Sequence, residues 1–224
     1  MNFSVSAIIV AAGKGKRIGG LDKNFVNLLG KPVISYSFNC LSQHKLVKEI
    51  IVVLNSKNIK KGKALLMSDK LTAVLGGDTR AESVRNGVLK AKEEFVLIHD
   101  AARPFITEEL LDGIFAGMTT GVDAVIPVIP VKSTVKYIDE NSFVEKTVDR
   151  KRLVIVQTPQ LFRKKALLDA YHKSNLIGIT DEAMLIEKTN GKVKVIEGIE
   201  ENLKITTPFD LILMEGVLKK WNKE

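Results

Sequence analysis

A glycine-rich loop near the N-terminus carries basic residues that could bind phosphate. The loop contains Gly13, Gly15, Arg17 and Lys23, and it follows the apolar run of residues 5–10, which predicts a buried strand. Glycines let backbone N–H groups approach an anion closely, and the cations neutralise its charge. The spacing matches neither the dinucleotide fingerprint nor the P-loop. The residues therefore predict an open phosphate loop of another kind, with a solvated surface turn as the alternative.

A second glycine turn contains Gly77, Asp78, Arg80 and Ser83 and lies between a predicted strand and a predicted helix. Its glycines permit close approach of the backbone, and its side chains offer hydrogen bonds and a positive charge to a base or sugar. The T-x-x-E spacing that begins at Thr79 is that of a capping box. The turn therefore predicts either a nucleotide contact or only a well-capped helix.

Asp100 directly follows the apolar run of residues 95–99. A carboxylate at a strand end suits Mg²⁺, which is usually held by one or two carboxylates together with substrate phosphates and water. A helix-cap or loop carboxylate is the structural alternative. Arg103 is placed to bind phosphate or to orient Asp100, and His99 is expected to pack or hydrogen-bond locally rather than to act as a base.

Polar side chains also follow later predicted strands. Arg150, Thr158, Thr180 and Lys204 all stand in such positions. Lys204 interrupts an apolar pair, so in an extended segment it faces the opposite way from its neighbours. Taken alone, each of these residues is only a weak indication of a site.

Short apolar strands alternate with helical patterns, which predicts a mostly parallel sheet covered on both faces. The predicted strands are residues 4–10, 49–54, 72–75, 95–99, 123–128, 153–157 and 192–197. The predicted helices are residues 32–42, 79–92, 107–117, 163–173, 181–189 and 208–219. Ligands of such sheets bind beyond the carboxyl ends of the strands, where both glycine turns and Asp100 are expected.

Residues 132–149 depart from this alternation and predict two strands around a turn at residues 139–142. An isolated two-stranded hairpin is marginal in water. We therefore expect this hairpin to pack against a second copy of the chain, which would make the protein a homodimer.

Length and composition limit the remaining possibilities. The 224 residues suit a single α/β domain over residues 1–224, and the net charge of +8 makes nucleic acid the first candidate partner. The lysines are scattered and aromatic residues are only 6% of the chain, so small polyanionic ligands explain the charge better and no nucleic-acid partner is expected. The single cysteine, Cys40, fits a reducing compartment. No signal peptide, membrane span or membrane partner is expected, and the predicted location is the cytoplasm.

The motifs in their order resemble those of the 2-C-methyl-D-erythritol 4-phosphate cytidylyltransferases. They are A-A-G-x-G-x-R, Lys23, G-G-D-x-R-x-x-S, H-D-A-A-R-P, T-V-D-R, T-P-Q, T-D-E-A and N-x-K-x-T. The resemblance covers residues 5–208 and implies an α/β fold, a Rossmann-like three-layer sandwich of the nucleotide-diphosphosugar transferase type. It also implies a protruding β-arm at about residues 133–148 through which two chains dimerise.

The resemblance implies a role for each matching residue. Arg17 and Lys23 match the pair that stabilises the transition state, and Arg150 and Lys204 complete the catalytic set. The implied CTP pocket contains Ala11, Ala12, Gly13, Gly77, Asp78 and Ser83, to which the analysis of the two glycine turns adds Gly15 and Arg80. The implied site for methylerythritol phosphate contains Thr134, Arg150, Thr158, Thr180 and Lys204, to which the loop after Asp100 adds Arg103. Asp100 matches the Mg²⁺ ligand, and Arg150 is implied to come from the dimer partner.

Three residues of the phosphate loop depart from the family pattern. The family usually has proline before the catalytic lysine and glutamine after it, whereas this chain has Asp22 and Asn24. Ile18 replaces the usual methionine. A carboxylate beside Lys23 would raise the pKa of the lysine or compete with phosphate for it.

The implied activity is transfer of CMP from CTP to 2-C-methyl-D-erythritol 4-phosphate with release of pyrophosphate. A phosphate monoester is already mostly dianionic at neutral pH, so it needs no general base, and catalysis rests on positioning and on charge neutralisation. Two alternatives are a ribitol 5-phosphate cytidylyltransferase and, from another class, a non-catalytic nucleotide-binding sensor.

Overall fold

The computed structural model describes residues 3–13 and 22–221, in which eight strands form one central sheet. In chain order the strands are β1 (Val5–Ala11), β2 (Asn27–Leu28), β3 (Lys31–Pro32), β4 (Val47–Leu54), β5 (Leu71–Leu75), β6 (Phe95–Asp100), β7 (Ala124–Pro130), β8 (Val135–Ile138), β9 (Val144–Val148), β10 (Val154–Val156), β11 (Gln160–Arg163) and β12 (Val193–Glu197). The helices are α1 (Val33–Gln43), α2 (Ile59–Leu65), α3 (Arg80–Val88), α4 (Glu108–Gly117), α5 (Lys164–Lys173), α6 (Ala183–Lys188) and α7 (Pro208–Trp221).

The first half of the central sheet is parallel, as predicted. Strands β5, β4, β1 and β6 lie side by side in that order and run the same way. Because parallel strands end at one edge, the turns after β1, β5 and Asp100 meet there.

The second half of the sheet is mixed, but only β10 and β11 of the eight strands run against the others, so the sheet is mostly parallel as predicted. The sequence predicts β10 but not β11, and both strands run antiparallel to β7. β11 also pairs antiparallel with β6, while β12 runs parallel to β7 along its other edge. The residues of β11 directly precede α5, so their extended conformation is hidden by the stronger helical pattern that follows.

Side-chain alternation along the strands places helices on both faces. Ala7 and Ile9 of β1 belong to one apolar cluster with residues of α1 and α4. Ile8, between them, belongs to a second cluster with residues of α3, α5 and α6. This period of two buries both faces of the sheet, as the near-continuous apolar strands predict. A third cluster joins α7 to Leu28 and Ile205.

One helix is clearly shorter than predicted, and another is not predicted at all. α3 ends at Val88 rather than at residue 92, because the backbone N–H of Lys92 donates to Glu49 (2.5 Å) and that of Glu93 donates to Ser6 (3.0 Å). The short helix α2 is absent from the prediction because it is mostly exposed and has little apolar periodicity.

The predicted hairpin is present as β8 and β9, which pair antiparallel as a separate two-stranded sheet. We call residues 133–148 the arm. Its apolar side chains Tyr137, Ile138, Phe143 and Val144 are exposed in the single chain. Among the helices of the described residues, none is both long and apolar enough to span a bilayer.

Candidate active site

A cavity of about 510 Å³ lies at the carboxyl end of β6. Six residues that the sequence singles out line it, although they come from distant parts of the chain. They are Arg80, Asp100, Arg103, Thr158, Thr180 and Lys204. The fold therefore brings the second glycine turn, the strand-end aspartate and three later polar segments to one place.

Asp100 is the electrostatic centre of this cavity. Its Oδ1 lies 3.1 Å from Nε of Arg80, and its Oδ2 lies 2.5 Å from Nζ of Lys204. Burial by itself raises the pKa of Asp100, but the two neighbouring cations outweigh it and hold that pKa well below the usual range. The carboxylate is therefore ionised at every pH at which the protein would be assayed.

Arg80 is the first residue of α3 and reaches the cavity from the second glycine turn. The capping box predicted at Thr79 is present, since its side chain accepts from the N–H of Glu82 and the Glu82 side chain accepts from the N–H of Thr79. The Arg80 guanidinium bridges Asp100 and Glu182, and both oxygens of Glu182 accept from its Nη1, at 3.1 and 2.8 Å. The sequence gives no sign that Glu182 is fully buried, so its part in the site was missed.

His99 has a supporting role, as expected. Its Nε2 lies 2.8 Å from the carbonyl oxygen of Arg103, which can only accept, so Nε2 carries the proton. Its Nδ1 then accepts from the hydroxyl of Thr158 (3.0 Å), and that hydroxyl accepts from the N–H of Asp100 (3.1 Å). Burial lowers the pKa of His99 to about 4. The ring is therefore neutral, and both its nitrogens are used in holding the strand end.

Arg103 ties the segment that carries Lys204 to the cavity. Its guanidinium donates to the carbonyl oxygens of Asn202 (2.6 Å) and Val156 (3.4 Å). One residue beyond Lys204, the N–H of Ile205 donates to a carbonyl of the loop after β6 (2.8 Å). The side chain of Arg103 is thus held by backbone carbonyls while it lines the cavity.

The predicted CTP-pocket residues of the described chain gather on two neighbouring turns at the same sheet edge. Ala11 ends β1, with Ala12 and Gly13 after it, while Gly77 and Asp78 follow β5 and Ser83 lies in the first turn of α3. The turns touch so closely that a Cβ added at Gly76 would lie 2.4 Å from that of Ala12. The N–H of Gly77 donates to the hydroxyl of Ser83 (3.1 Å).

Lys23 lies beside the segment of Lys204. Its Nζ donates to the carbonyl oxygen of Ile205 (3.1 Å). The carboxylate of Asp22 accepts from the N–H of Asn24 (3.2 Å) and from the side-chain amide of Asn58. Asp22, the acid that departs from the family pattern, thus links the residues next to Lys23 to the loop after β4. Arg17, Gly15 and Ile18 lie outside the described residues.

Thr134 and Arg150 are not brought to the cavity of their own chain. Both are exposed, Thr134 before β8 and Arg150 on the turn after β9. The guanidinium of Arg150 donates to the carbonyl oxygen of Lys132. Within the part of the chain that is described, these two predicted substrate residues are therefore exposed and do not line the cavity.

Groups of three potential metal ligands are limited, in the described ranges, to His44, Glu108 and Asp112 at the far side of α4. His44 is a poor ligand, because its Nδ1 accepts from the N–H of Leu46 and its remaining nitrogen therefore carries a proton toward Asp112. Asp100 offers one ionised carboxylate at the cavity. That donor suits Mg²⁺, which completes its coordination with phosphates and water.

Comparisons with known proteins show the family of the chain. A family model described as 2-C-methyl-D-erythritol 4-phosphate cytidylyltransferase matches residues 5–220. A protein of that name from Dehalococcoides mccartyi is 38% identical over 98% of both chains. Another, from Alkaliphilus metalliredigens, is 40% identical over 96% of this chain and 93% of the relative. The crystal structure of 4-diphosphocytidyl-2C-methyl-D-erythritol synthase from Anaerococcus prevotii superposes with a TM-score of 0.86 at 33% identity, covering 98% of this chain and 100% of that one.

Proposed function

The chain belongs to the 2-C-methyl-D-erythritol 4-phosphate cytidylyltransferase family, and from that premise we propose the reaction it catalyses. It transfers CMP from CTP to 2-C-methyl-D-erythritol 4-phosphate, which yields 4-diphosphocytidyl-2-C-methyl-D-erythritol and pyrophosphate. The observation that carries the proposal is the convergence of the predicted residues around the ionised Asp100, next to the two turns of the proposed CTP pocket.

The chemistry is an in-line displacement at phosphorus. A phosphate oxygen of the polyol phosphate forms a bond to the α-phosphorus of CTP, and the bond from that phosphorus to the bridging oxygen breaks as pyrophosphate leaves. The attacking phosphate is mostly dianionic above its second pKa of about 6, so no proton has to be removed. The neutral His99, with both its nitrogens occupied, fits a site that needs no general base.

Cations do the main catalytic work in this proposal. Two anions must approach each other, so positioning and charge neutralisation lower the barrier. Lys23 and Arg17 would stabilise the charge that develops on the triphosphate, while Lys204 and Arg150 would hold the attacking phosphate. In support, Lys23 and Lys204 adjoin through Ile205.

A divalent cation, most simply Mg²⁺, would be held by Asp100. The donor set fits, because an ionised carboxylate that lines a phosphate-binding cavity is what Mg²⁺ commonly uses. When bound, the ion would neutralise charge on the triphosphate. Lys204 bonds to Oδ2 of Asp100, so a bound ion and the lysine ammonium would compete for that oxygen.

A homodimer completes the proposed site. Thr134 and Arg150 face outward, and the exposed Tyr137, Ile138 and Phe143 of the arm need a covering surface. Both observations support an arm that inserts into a second copy and delivers Arg150 to its cavity. Light scattering at micromolar concentration should give twice the mass of one chain, and a monomeric mass would contradict this part of the proposal. We also infer a cytoplasmic location, supported by the single cysteine.

A pyrophosphate-release screen tests the activity itself. It crosses CTP, UTP and ATP with 2-C-methyl-D-erythritol 4-phosphate and ribitol 5-phosphate, each with Mg²⁺ and with EDTA. We expect turnover only with CTP, methylerythritol phosphate and the metal. Turnover with ribitol 5-phosphate alone would replace the substrate. CTP binding without turnover for either polyol phosphate would favour a nucleotide sensor.

A further inference from the structure

Glu182 is a buried carboxylate to which the proposed mechanism assigns no task. It precedes α6 and its side chain is fully buried, yet it lies one residue from the cavity-lining Asp181. Both its oxygens accept from Nη1 of Arg80. The hydroxyl of Tyr171 lies 3.5 Å from Oε1, so three polar groups meet in the interior between α3, α5 and α6.

Stability alone does not explain a carboxylate at this place. A buried ion pair must repay the loss of hydration of both charges, and apolar residues of similar volume often serve the fold as well or better. Burial outweighs the attraction of Arg80 and raises the pKa of Glu182, so a charge on this carboxylate is costly to the fold. A geometric task at the neighbouring site is the more economical reason for the pair.

The geometry of Arg80 shows what that task is. Its Nε and Nη2 both lie 3.1 Å from Oδ1 of Asp100, whereas Nη1 is turned to Glu182. The planar guanidinium is therefore held at two edges at once, which fixes its orientation as a single contact would not. Oδ2 of Asp100 is left to Lys204.

We propose that Glu182 is a positioning residue of the transfer reaction, which holds Arg80 on Oδ1 of Asp100 and so keeps Oδ2 directed at the substrate side of the cavity. The inference rests on the proposed function. Glu182, Arg80, Asp100 and Lys204 together carry two negative and two positive charges. Because Glu182 balances Arg80, Asp100 keeps its own charge for Lys204 or for a metal ion.

A double-mutant cycle tests whether Glu182 acts through Arg80. Glu182→Gln keeps the shape and removes the charge, and it should lower kcat about 10-fold while KM for CTP changes less. In an Arg80→Ala background the same substitution should cost nothing more, because the residue it positions is gone. An equal loss of kcat in the wild-type and Arg80→Ala backgrounds would overturn the proposal. So would an unchanged kcat when Glu182→Gln is made in the wild type.

Glu49→Gln is the matched control. Glu49 is also a buried carboxylate, but it accepts from Ser6 and Lys92 far from the cavity. This variant should lose thermal stability without losing kcat. Should Glu182→Gln fail to fold, Glu182→Asp takes its place in the cycle. If both variants unfold while Glu49→Gln folds, the role of Glu182 is structural and the proposal fails.

A measurement without turnover separates this inference from the proposed function. Hydrogen exchange of the Arg80 Nε–H group, followed by ¹⁵N NMR in the ligand-free protein, should be about 10-fold faster in Glu182→Gln than in the wild type or Glu49→Gln. Unchanged exchange would show that Glu182 does not hold Arg80, whatever the reaction is. If exchange is faster in Glu182→Gln but the wild-type protein shows no turnover, only the proposed reaction is rejected.

Discussion

The cavity and the arm are built on opposite physical principles. Around the cavity, charged side chains are buried or partly buried and paired with one another, as in the contacts of Asp100 with Arg80 and Lys204. In the arm, Thr134 is exposed at the start of a hairpin that pairs only with itself among the described strands, and Arg150 is exposed directly after that hairpin. The cavity is thus held by contacts within one chain, whereas the proposed function assigns the arm to a contact with a second copy.

The largest expected effect concerns the cavity side. Lys23→Ala should lower kcat by about 10²–10³-fold, because removal of a preorganised electrostatic contact to the transition state has effects of that size. Steady-state kinetics checks this, with the exposed Lys31 as a Lys31→Ala control that should retain full activity. Near-normal turnover of purified Lys23→Ala would remove this lysine from the mechanism.

The next effect tests whether the arm serves a second chain. Arg150→Ala should lower kcat/KM for the polyol phosphate about 10²-fold, since the attacking phosphate loses its orientation. Arg152→Ala, on the same exposed turn, is the matched control and should change little.

Complementation makes this test decisive. If each site combines Lys204 of one chain with Arg150 of its partner, a 1:1 co-refolded mixture of Lys204→Ala and Arg150→Ala should recover about one quarter of wild-type activity. Half of the random dimers are mixed, and one of the two symmetric sites in each is intact. No recovery would place both residues in the site of one chain.

A third prediction concerns the pH dependence of stability on the cavity side. The pKa of His99 is about 4 in the folded protein against 6.5 when unfolded, so between these values the unfolded chain binds more protons. Stability should therefore fall as the pH falls from 7 to 4.5, and this histidine should account for about 2–3 kcal/mol. In His99→Gln, the free energy of unfolding measured with urea should therefore fall by about 2–3 kcal/mol less between pH 7 and pH 4.5 than in the wild type. His172→Gln, at an exposed position, should show the same change in unfolding free energy as the wild type.

The smallest effect concerns the hydrogen bond between Asn58 and Asp22, the residue before Lys23. Asn58→Ala removes the amide that donates to Asp22, and kcat should fall only about 3–5-fold, as one hydrogen bond of about 1 kcal/mol predicts. Lys57→Ala beside it is the control. A fall as large as that of Lys23→Ala would show that the loop depends on this contact far more than its geometry indicates.

Much of the fold follows from the sequence because apolar periodicity is a local property. The runs that became β1, β4 and β6 are apolar almost throughout, which distinguishes a doubly covered parallel sheet from an amphipathic one. β11 and α2 escaped prediction, the first because it adjoins a stronger helical pattern and the second because it is largely exposed. Local pattern carries little information where pairing partners or exposure decide the conformation.

The candidate site divides in the same way. Asp100, Lys204 and the two glycine turns are recognisable because residue type and position after a strand are written in the chain. The burial of Glu182 and the partner of Asp22 are not recognisable in this way. The contacts of Asp22 with Asn58 and of Arg80 with Glu182 arise only when distant segments pack.

The sequence by itself therefore determined the alternation of strands and helices, the family resemblance and the cationic character of the phosphate loop, all of which depend on residue type and spacing. The tertiary structure decided which charges meet. It placed Asp100 between Arg80 and Lys204, turned Asp22 to Asn58, and left Arg150 facing outward. The physical reason is that an electrostatic contact depends on distance in space and on exclusion of water, and neither is a property of the linear chain.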